Sequence, residues 1–251
     1  MTPATELGHL LADTYAQPGR QVSVPPALAP RDASVAYEAQ QAFLQRHHLA
    51  IGGWKIGAKS SDGPVQGAPL PRHGIHASGA VLALADYAVC GLEVEIMFRF
   101  ERDFFPDDGE CSNDDVLASI GSIGTSIEIV SSRLADWPDV PKLNQLADLQ
   151  NHGALILGAF IPYRADMDFV TPHAQLQIDG EDKFVGTGAN PAGDPRRLLH
   201  WLVGHCREQK IALPAGTVIT AGSYTGMYFA QAPGQVTGRM AGLPEVAFTL
   251  A

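Results

Sequence analysis

Apolar and polar positions alternate with period two from Leu92 to Phe100. Leu92, Val94, Ile96, Phe98 and Phe100 fall on one side and Glu93, Glu95, Met97 and Arg99 on the other. Successive strand side chains point to opposite faces, so the stretch predicts a strand with one face in the core. Shorter apolar runs predict further strands at Ile127–Val130, Ala154–Phe160, Gln175–Ile178, Thr217–Thr220, Gln235–Arg239 and Val246–Leu250. The spacing changes to helical at two early segments. Pro3–Ala16 carries Leu7, Leu10 and Leu11, and Ser34–His48 carries Val35, Ala36, Ala39, Ala42 and Phe43. The Pro/Ala stretch Val22–Pro30 between them reads as a surface loop. A later helix is expected with Asp194 as N-cap and Pro195 at its first position. Its stripe is Leu198, Leu199, Leu202, Val203 and Cys206, ending near Lys210. A short helix is expected after Asn113, with that residue as cap. The pattern describes an α+β chain, with a helical part over residues 1–52 and a strand-rich body over 53–251.

Composition narrows the function. The chain has 251 residues, and 17 Lys plus Arg against 27 Asp plus Glu give a net charge of −10 and a sequence pI near 5.2. So acidic a chain has little means of neutralising a phosphate backbone, which excludes nucleic acid as the expected partner. With 45% apolar and 18% charged residues it can bury a large core. No basic leader precedes an apolar run and no window is apolar enough to span a bilayer, so neither secretion nor a membrane role is expected. Cys90, Cys111 and Cys206 are an odd number at wide spacing, unlike a disulfide framework or a cysteine zinc site, and fit a reducing cytoplasm.

Glu93 and Glu95 share one strand face, and two carboxylates so placed are hard oxygen ligands for Mg²⁺ or a similar cation. The same E-x-E is equally the sequence of a solvated strand face. Glu128, flanked by isoleucines in Thr125–Val130, faces either solvent or a compensating charge, because burying it unpaired is expensive. Lys55, in Trp54-Lys55-Ile56-Gly57, is either snorkelling to water or a buried amine used on an anionic substrate. The nine histidines show no metal-ligand spacing and read as surface or packing residues. Ser223 lacks a nucleophile elbow, Gly186-Thr187-Gly188 lacks the dinucleotide fingerprint, and the cysteines have no visible activator.

Taken in order, these segments resemble the 2-keto-4-pentenoate hydratase and 4-oxalocrotonate decarboxylase group of the fumarylacetoacetate hydrolase superfamily. The matching stretches are Gly53–Gly57, Glu93-Val94-Glu95-Ile96, Ile127–Arg133 with Asp136-Trp137, Ala147-Asp148 before His152-Gly153-Ala154, Gly158, Gly193-Asp194-Pro195 with Trp201-Leu202, and Pro214-Ala215-Gly216 leading into Thr220–Ser223. The resemblance implies a mixed β-roll body acting as one catalytic unit behind the helical part. It implies Mg²⁺ or Mn²⁺ held by Glu93, Glu95 and Glu128, and Lys55 near the substrate. Ser60, Ser223 and Asp148 become candidate substrate-binding residues.

The implied substrate is a short 2-hydroxydienoate or its 2-oxo tautomer from aromatic catabolism, and the implied reaction is hydration to a 4-hydroxy-2-oxo acid. Decarboxylation of a 4-oxalocrotonate-type diacid on the same metal site is the alternative, and a non-catalytic 2-oxo-acid-binding or partner subunit a further one. The resemblance also implies a homo-oligomer, alone or paired with a related subunit. One segment departs from the pattern: Pro71-Arg72-His73-Gly74 carries Arg72 where the hydratases have an acid. If that loop covers the substrate, Arg72 would bind a second carboxylate and His73 would shuttle protons, which makes both catalytic candidates.

Overall fold

The N-terminal helices α1 (Pro3–Tyr15) and α2 (Ala33–Arg46) start where the sequence offers capping side chains. The Thr2 hydroxyl accepts from the Thr5 N–H ahead of Pro3, and Asp32 accepts from the Val35 N–H at 3.0 Å. Their apolar stripes, Leu7 and Leu11 against Ala36, Ala39 and Phe43, form a core that also takes in Leu134, Leu146, Ala147 and Leu149 from the body. The helices therefore buttress the chain around residues 146–149, and Gln40 donates its amide to the Leu146 carbonyl at 2.7 Å.

The computed structural model describes all 251 residues. Its strands are β1 (Ile51–Gly57), β2 (Gln66–Pro71), β3 (Ile75–Ala77), β4 (Val81–Leu82), β5 (Gly91–Phe100), β6 (Ile120–Val130), β7 (His152–Pro162), β8 (His173–Ile178), β9 (Glu181–Thr187), β10 (Val218–Ser223), β11 (Tyr228–Phe229), β12 (Gly234–Met240) and β13 (Val246–Leu250). The remaining helices are α3 (Asn113–Ala118), α4 (Lys142–Ala147) and α5 (Arg197–Glu208). One mixed sheet runs β2-β1-β10-β5-β6-β7-β3 with β11 paired to β5, and a second runs β4-β13-β12-β8-β9. The main core packs Leu92, Val94, Ile96 and Phe98 of β5 with Ile127 and Ile129 of β6, the α5 stripe, and Val236, Val246 and Phe248 of the second sheet.

The alternating stretch is β5, with its apolar face buried as its period demands. Two caps differ from expectation. The cap of α3 is Ser112, which forms a reciprocal capping box with Asp115. Helix α5 begins at Arg197, later than expected; Asp194 sits ahead of it, its Oδ1 accepting from the Arg196 N–H at 3.0 Å while its carboxylate also pairs with the Arg196 guanidinium at 2.6 Å. Pattern reading passed over β1, β2 and β9, whose glycines, prolines and charges break the apolar alternation.

Candidate metal centre and active site

Antiparallel pairing of β5 with β6 sets Glu93 directly opposite Glu128 and Glu95 opposite Ser126. All three carboxylates thus leave the same face, and like charges placed so repel unless something compensates them. Each offers an oxygen within 4.8 Å of the others. Lys55 arrives from β1, whose register places it beside Thr220 of β10, itself paired to β5. Its ammonium donates to Glu128 Oε1 at 2.6 Å and to the Gln150 carbonyl at 3.1 Å. His152, at the start of β7, places Nδ1 3.1 Å from the same Oε1.

Glu128 is fully buried, and its second oxygen, Oε2, has no hydrogen-bond partner. Glu95 is fixed differently. Thr220 Oγ1 donates to its Oε2, and the Gly222 N–H does so at 3.0 Å. A bulge in β10 after Thr220 makes the second contact possible. Gly222 adopts φ +89° there, a left-handed conformation that glycine takes without strain.

The carbonyl that meets Lys55 comes from an unusual turn. Leu149, Gln150 and Asn151 are consecutive non-glycine residues with φ of 48°, 51° and 59°. Such backbone costs energy and persists only where its surroundings hold it. Here the holding groups are buried: Asp148 accepts from the Arg133 N–H at 3.0 Å and from the Arg133 guanidinium, which also donates to the carbonyls of Asp148 and His152.

Electrostatics follow from this geometry. Burial, then the nearby Glu128 charge, pushes the Glu93 carboxyl up to about 7, and the same causes with Glu93 push Glu95 up to about 8. Burial also works against the Lys55 ammonium, but the three carboxylates together outweigh it and hold its pKa above the ordinary lysine value. Glu128 ends below the carboxylate range, since Lys55 and His152 together overcome its burial. Burial is the main cause that keeps His152 below the usual histidine value and neutral.

Three carboxylates and one ammonium carry a formal charge of −3 + 1 = −2. A hard divalent cation balances that charge, and the free Glu128 Oε2, the free Glu95 Oε1 and the unbonded Glu93 suit one as donors. The residues fit Mg²⁺ or Mn²⁺.

The cavity over this cluster measures about 200 Å³ and is also lined by Gln150, Asn190, Gly222 and Ser223. Lys55 is its only cationic side chain. Of the residues expected at the site, the structure brings together Glu93, Glu95, Glu128, Lys55 and Ser223. The others lie elsewhere. Asp148 is fully buried behind the turn in its pair with Arg133. Ser60 is exposed and donates to Asp62 at 2.8 Å.

Arg72 and His73 do not fold over the cluster. Strand β2 runs antiparallel to β1, pairing Ala68 with Lys55 but Pro71 with Ile51, which carries Arg72 about 13 Å along the sheet from Lys55. Arg72 lines a separate groove with Trp54 and Thr217, and His73 packs on Tyr15 with ring centroids 5.4 Å apart. Pattern reading missed His152, Gln150 and Thr220. A histidine used through one hydrogen bond, a backbone carbonyl and a lone threonine have no spacing signature, whereas a glycine interrupting a strand run, as Gly222 does, is legible as a bulge.

No family model matches the chain. It is 30% identical over 145 residues to a 2-keto-4-pentenoate hydratase of Paraburkholderia xenovorans (strain LB400), covering 58% of this chain and 52% of that protein. The chain thus spans about half the length of that relative. A 2-hydroxypent-2,4-dienoate hydratase of Pseudomonas putida is 29% identical over 223 residues, covering 81% of this chain and 97% of that protein. Among solved structures, 4-oxalocrotonate decarboxylase from Pseudomonas putida G7, complexed with magnesium and adipate, superposes with a TM-score of 0.84 at 21% identity, covering 100% of this chain and 99% of that one. The chain has the fold of that decarboxylase and is similar in sequence to the hydratases, as its order of motifs indicates.

Proposed function

We propose that the chain is a divalent-metal-dependent lyase that hydrates a 2-hydroxy-2,4-dienoate of the 2-oxo-4-pentenoate type to a 4-hydroxy-2-oxo acid, in the breakdown of aromatic compounds. The observation that carries this reading is the trio Glu93, Glu95 and Glu128, with one oxygen of Glu128 tied to Lys55 and the other free. Bound at these carboxylates, Mg²⁺ or Mn²⁺ supplies Lewis acidity to the oxygens of a 2-oxo acid. Lys55 stays protonated in the field of the carboxylates, so it offsets the charge of an anionic substrate and is not a base. Neutral His152 and the Gln150 carbonyl fix the positions of Glu128 and Lys55. Ser223 supplies the one hydroxyl in the cavity lining; its Oγ donates to the Gly226 carbonyl at 3.0 Å and accepts from the Thr225 N–H at 3.3 Å, so contact with a substrate requires it to turn from the Gly226 carbonyl.

A second reading, decarboxylation of a 4-oxalocrotonate-type diacid, is favoured by the full-length superposition on the decarboxylase. Hydration stays first because Lys55 is the only cation in the cavity, which leaves the distal carboxylate of a diacid without a partner. Incubating the protein with Mg²⁺ and either 2-hydroxypenta-2,4-dienoate or the 4-oxalocrotonate tautomer of 2-hydroxymuconate, while following ultraviolet loss and CO₂ together, separates the readings. Loss without CO₂ on the dienoate supports hydration, CO₂ from the diacid supports decarboxylation, and neither leaves the non-catalytic subunit.

The same reading includes a cytoplasmic homo-oligomer, alone or with a related subunit. Three unpaired cysteines and the exposed apolar Phe105, Val185, Met227 and Phe229 support it. No helix is long and apolar enough to cross a membrane.

A further inference from the structure

The pairing of β10 with β5 is irregular beside Glu95. Thr220 pairs with Met97 and Ser223 with Glu95, so β10 uses three residues for a step that β5 covers in two. The extra residue turns two consecutive carbonyls, those of Ala221 and Gly222, toward one group, whereas the carbonyls of a regular strand alternate in direction. That group is the Asn190 amide. Its Nδ2 donates to the Ala221 carbonyl at 2.8 Å and to the Gly222 carbonyl at 3.1 Å. Its Oδ1 accepts from the Ala192 N–H at 2.9 Å, an Asx-turn in the loop before α5. Carbonyls only accept and a backbone N–H only donates, so the three contacts fix which way the amide faces.

Asn190 lines the cavity over the acids, yet both of its amide hydrogens go to backbone carbonyls, which leaves none for a substrate. Its loop is braced in turn. Arg197, at the start of α5, donates to the Ala192 carbonyl at 2.9 Å and to the Ser60 carbonyl at 2.8 Å. On its other side the bulge meets one of the three acids, where the Gly222 N–H donates to Glu95 Oε2 at 3.0 Å. Gly222 lies so close to the Asn190 amide that a Cβ there would be 3.4 Å from it. Thr220 donates to the same oxygen of Glu95 from the regularly paired part of β10, so only the Gly222 contact depends on the shape of the bulge.

The structure assigns to Asn190 the role of a positioning residue: by clamping the Ala221 and Gly222 carbonyls it aims the Gly222 N–H at Glu95 Oε2 and so leaves Glu95 Oε1 free for the cation. This role rests on the reading of Glu93, Glu95 and Glu128 as a metal centre, because outer partners of a ligand matter through the ligand they orient. The aim of the Gly222 N–H is nevertheless a property of the metal-free chain, so the clamp and the metal centre are tested apart.

Asn190→Ser separates the clamp from the turn. A serine hydroxyl still accepts from the Ala192 N–H, as in the serine counterpart of an Asx-turn, but it has one hydrogen and a shorter reach and does not hold two carbonyls. The measurements are amide hydrogen exchange of the metal-free protein, followed by NMR, and calorimetric titration with Mn²⁺. The Gly222 amide is expected to be protected in the parent and to exchange about tenfold faster or more in Asn190→Ser and Asn190→Ala, with the core amides of Ile96 and Ile127 unchanged. Mn²⁺ affinity should fall about tenfold in both variants. An unprotected Gly222 amide in the parent, unchanged exchange or unchanged Mn²⁺ affinity in Asn190→Ser, or equal acceleration at Gly222, Ile96 and Ile127 would each overturn the assignment. Asn190→Ser decides it if Asn190→Ala does not fold. A parent that binds no Mn²⁺ counts against the metal centre instead, and Gly222 exchange then decides the clamp by itself.

Discussion

Lys55 and Glu128, 73 positions apart in the chain, meet in a 2.6 Å ion pair that occupies only one of the two carboxylate oxygens. His152 Nδ1 adds a second contact to that oxygen at 3.1 Å. Two donors on Oε1 rotate the carboxylate so that Oε2 remains free, which is how outer partners orient a metal ligand. Asn reproduces the Nδ1 donor and Leu does not. His152→Asn is therefore expected to keep Mn²⁺ affinity within a few-fold, and His152→Leu to weaken it on the order of 10-fold to 100-fold. Calorimetric titration reads both; equal affinity in the Leu variant would show that the histidine only packs.

Lys55 does more than pair. Without it the buried cluster carries three carboxylates and no cation. Lys55→Met is expected to lower metal-free stability, since removing one partner of a buried pair leaves an uncompensated charge. It should also cut turnover on the order of 10²-fold or more. Lys55→Arg should not restore activity, because a planar fork cannot replace a compact ammonium between Glu128 and the Gln150 carbonyl. Urea midpoints and single-turnover rates check the two effects separately.

Glu95→Gln keeps acceptors for Thr220 and Gly222 while removing charge from the cluster. Metal affinity should fall by about an order of magnitude or more, as it should in Glu93→Gln and Glu128→Gln. Metal-free stability should move the other way in Glu95→Gln. Glu93 and Glu95 titrate near 7 and 8 in the fold but near 4.5 unfolded, so the native state holds more protons across that window. Stability of the metal-free protein therefore declines as pH rises from about 5 to 8. Melting curves of parent and Glu95→Gln should diverge toward pH 8, with the variant higher. Parallel curves would place Glu95 outside the strained cluster.

Much of this site was legible because β5 is regular. The alternation that buries Leu92, Val94 and Ile96 also puts Glu93 and Glu95 on one face, and Glu128 stood out as an acid among isoleucines. The supporting shell was not legible. Gln150 acts through its carbonyl from a left-handed turn of ordinary residues, and Asp148 holds that turn from beneath. Both effects depend on tertiary packing, which no local pattern reports.

Arg72 illustrates the opposite error. The segment Pro71–Gly74 looked like a substrate loop, but the antiparallel register of β2 on β1 takes it away from the acids. Arg72→Ala is accordingly expected to leave the ratio of rates on a mono- and a dicarboxylate substrate unchanged within about twofold. A selective loss on the dicarboxylate would bring Arg72 back to the substrate.

Stability on the acid side is expected to depend on His205 of α5, which does not line the cavity over the acids. Its ring stacks on Trp201 with centroids 4.7 Å apart and packs against Tyr37 at 4.4 Å and Trp54 at 5.9 Å. Burial among these aromatics lowers its pKa to about 4, against 6.5 when unfolded. The unfolded chain thus binds the proton first. The stability from a neutral His205 is complete above pH 6.5 and is lost as pH falls toward 4, a loss on the order of 2 kcal/mol. His205→Phe retains a planar ring for the stack and removes the titration. The difference in unfolding free energy between parent and variant cancels the carboxylate contributions common to both. Measured by urea unfolding from pH 7 to pH 4.5, that difference should move in favour of the variant as pH falls. A difference that stays constant over the range would mean that His205 accepts its proton inside the aromatic stack without cost.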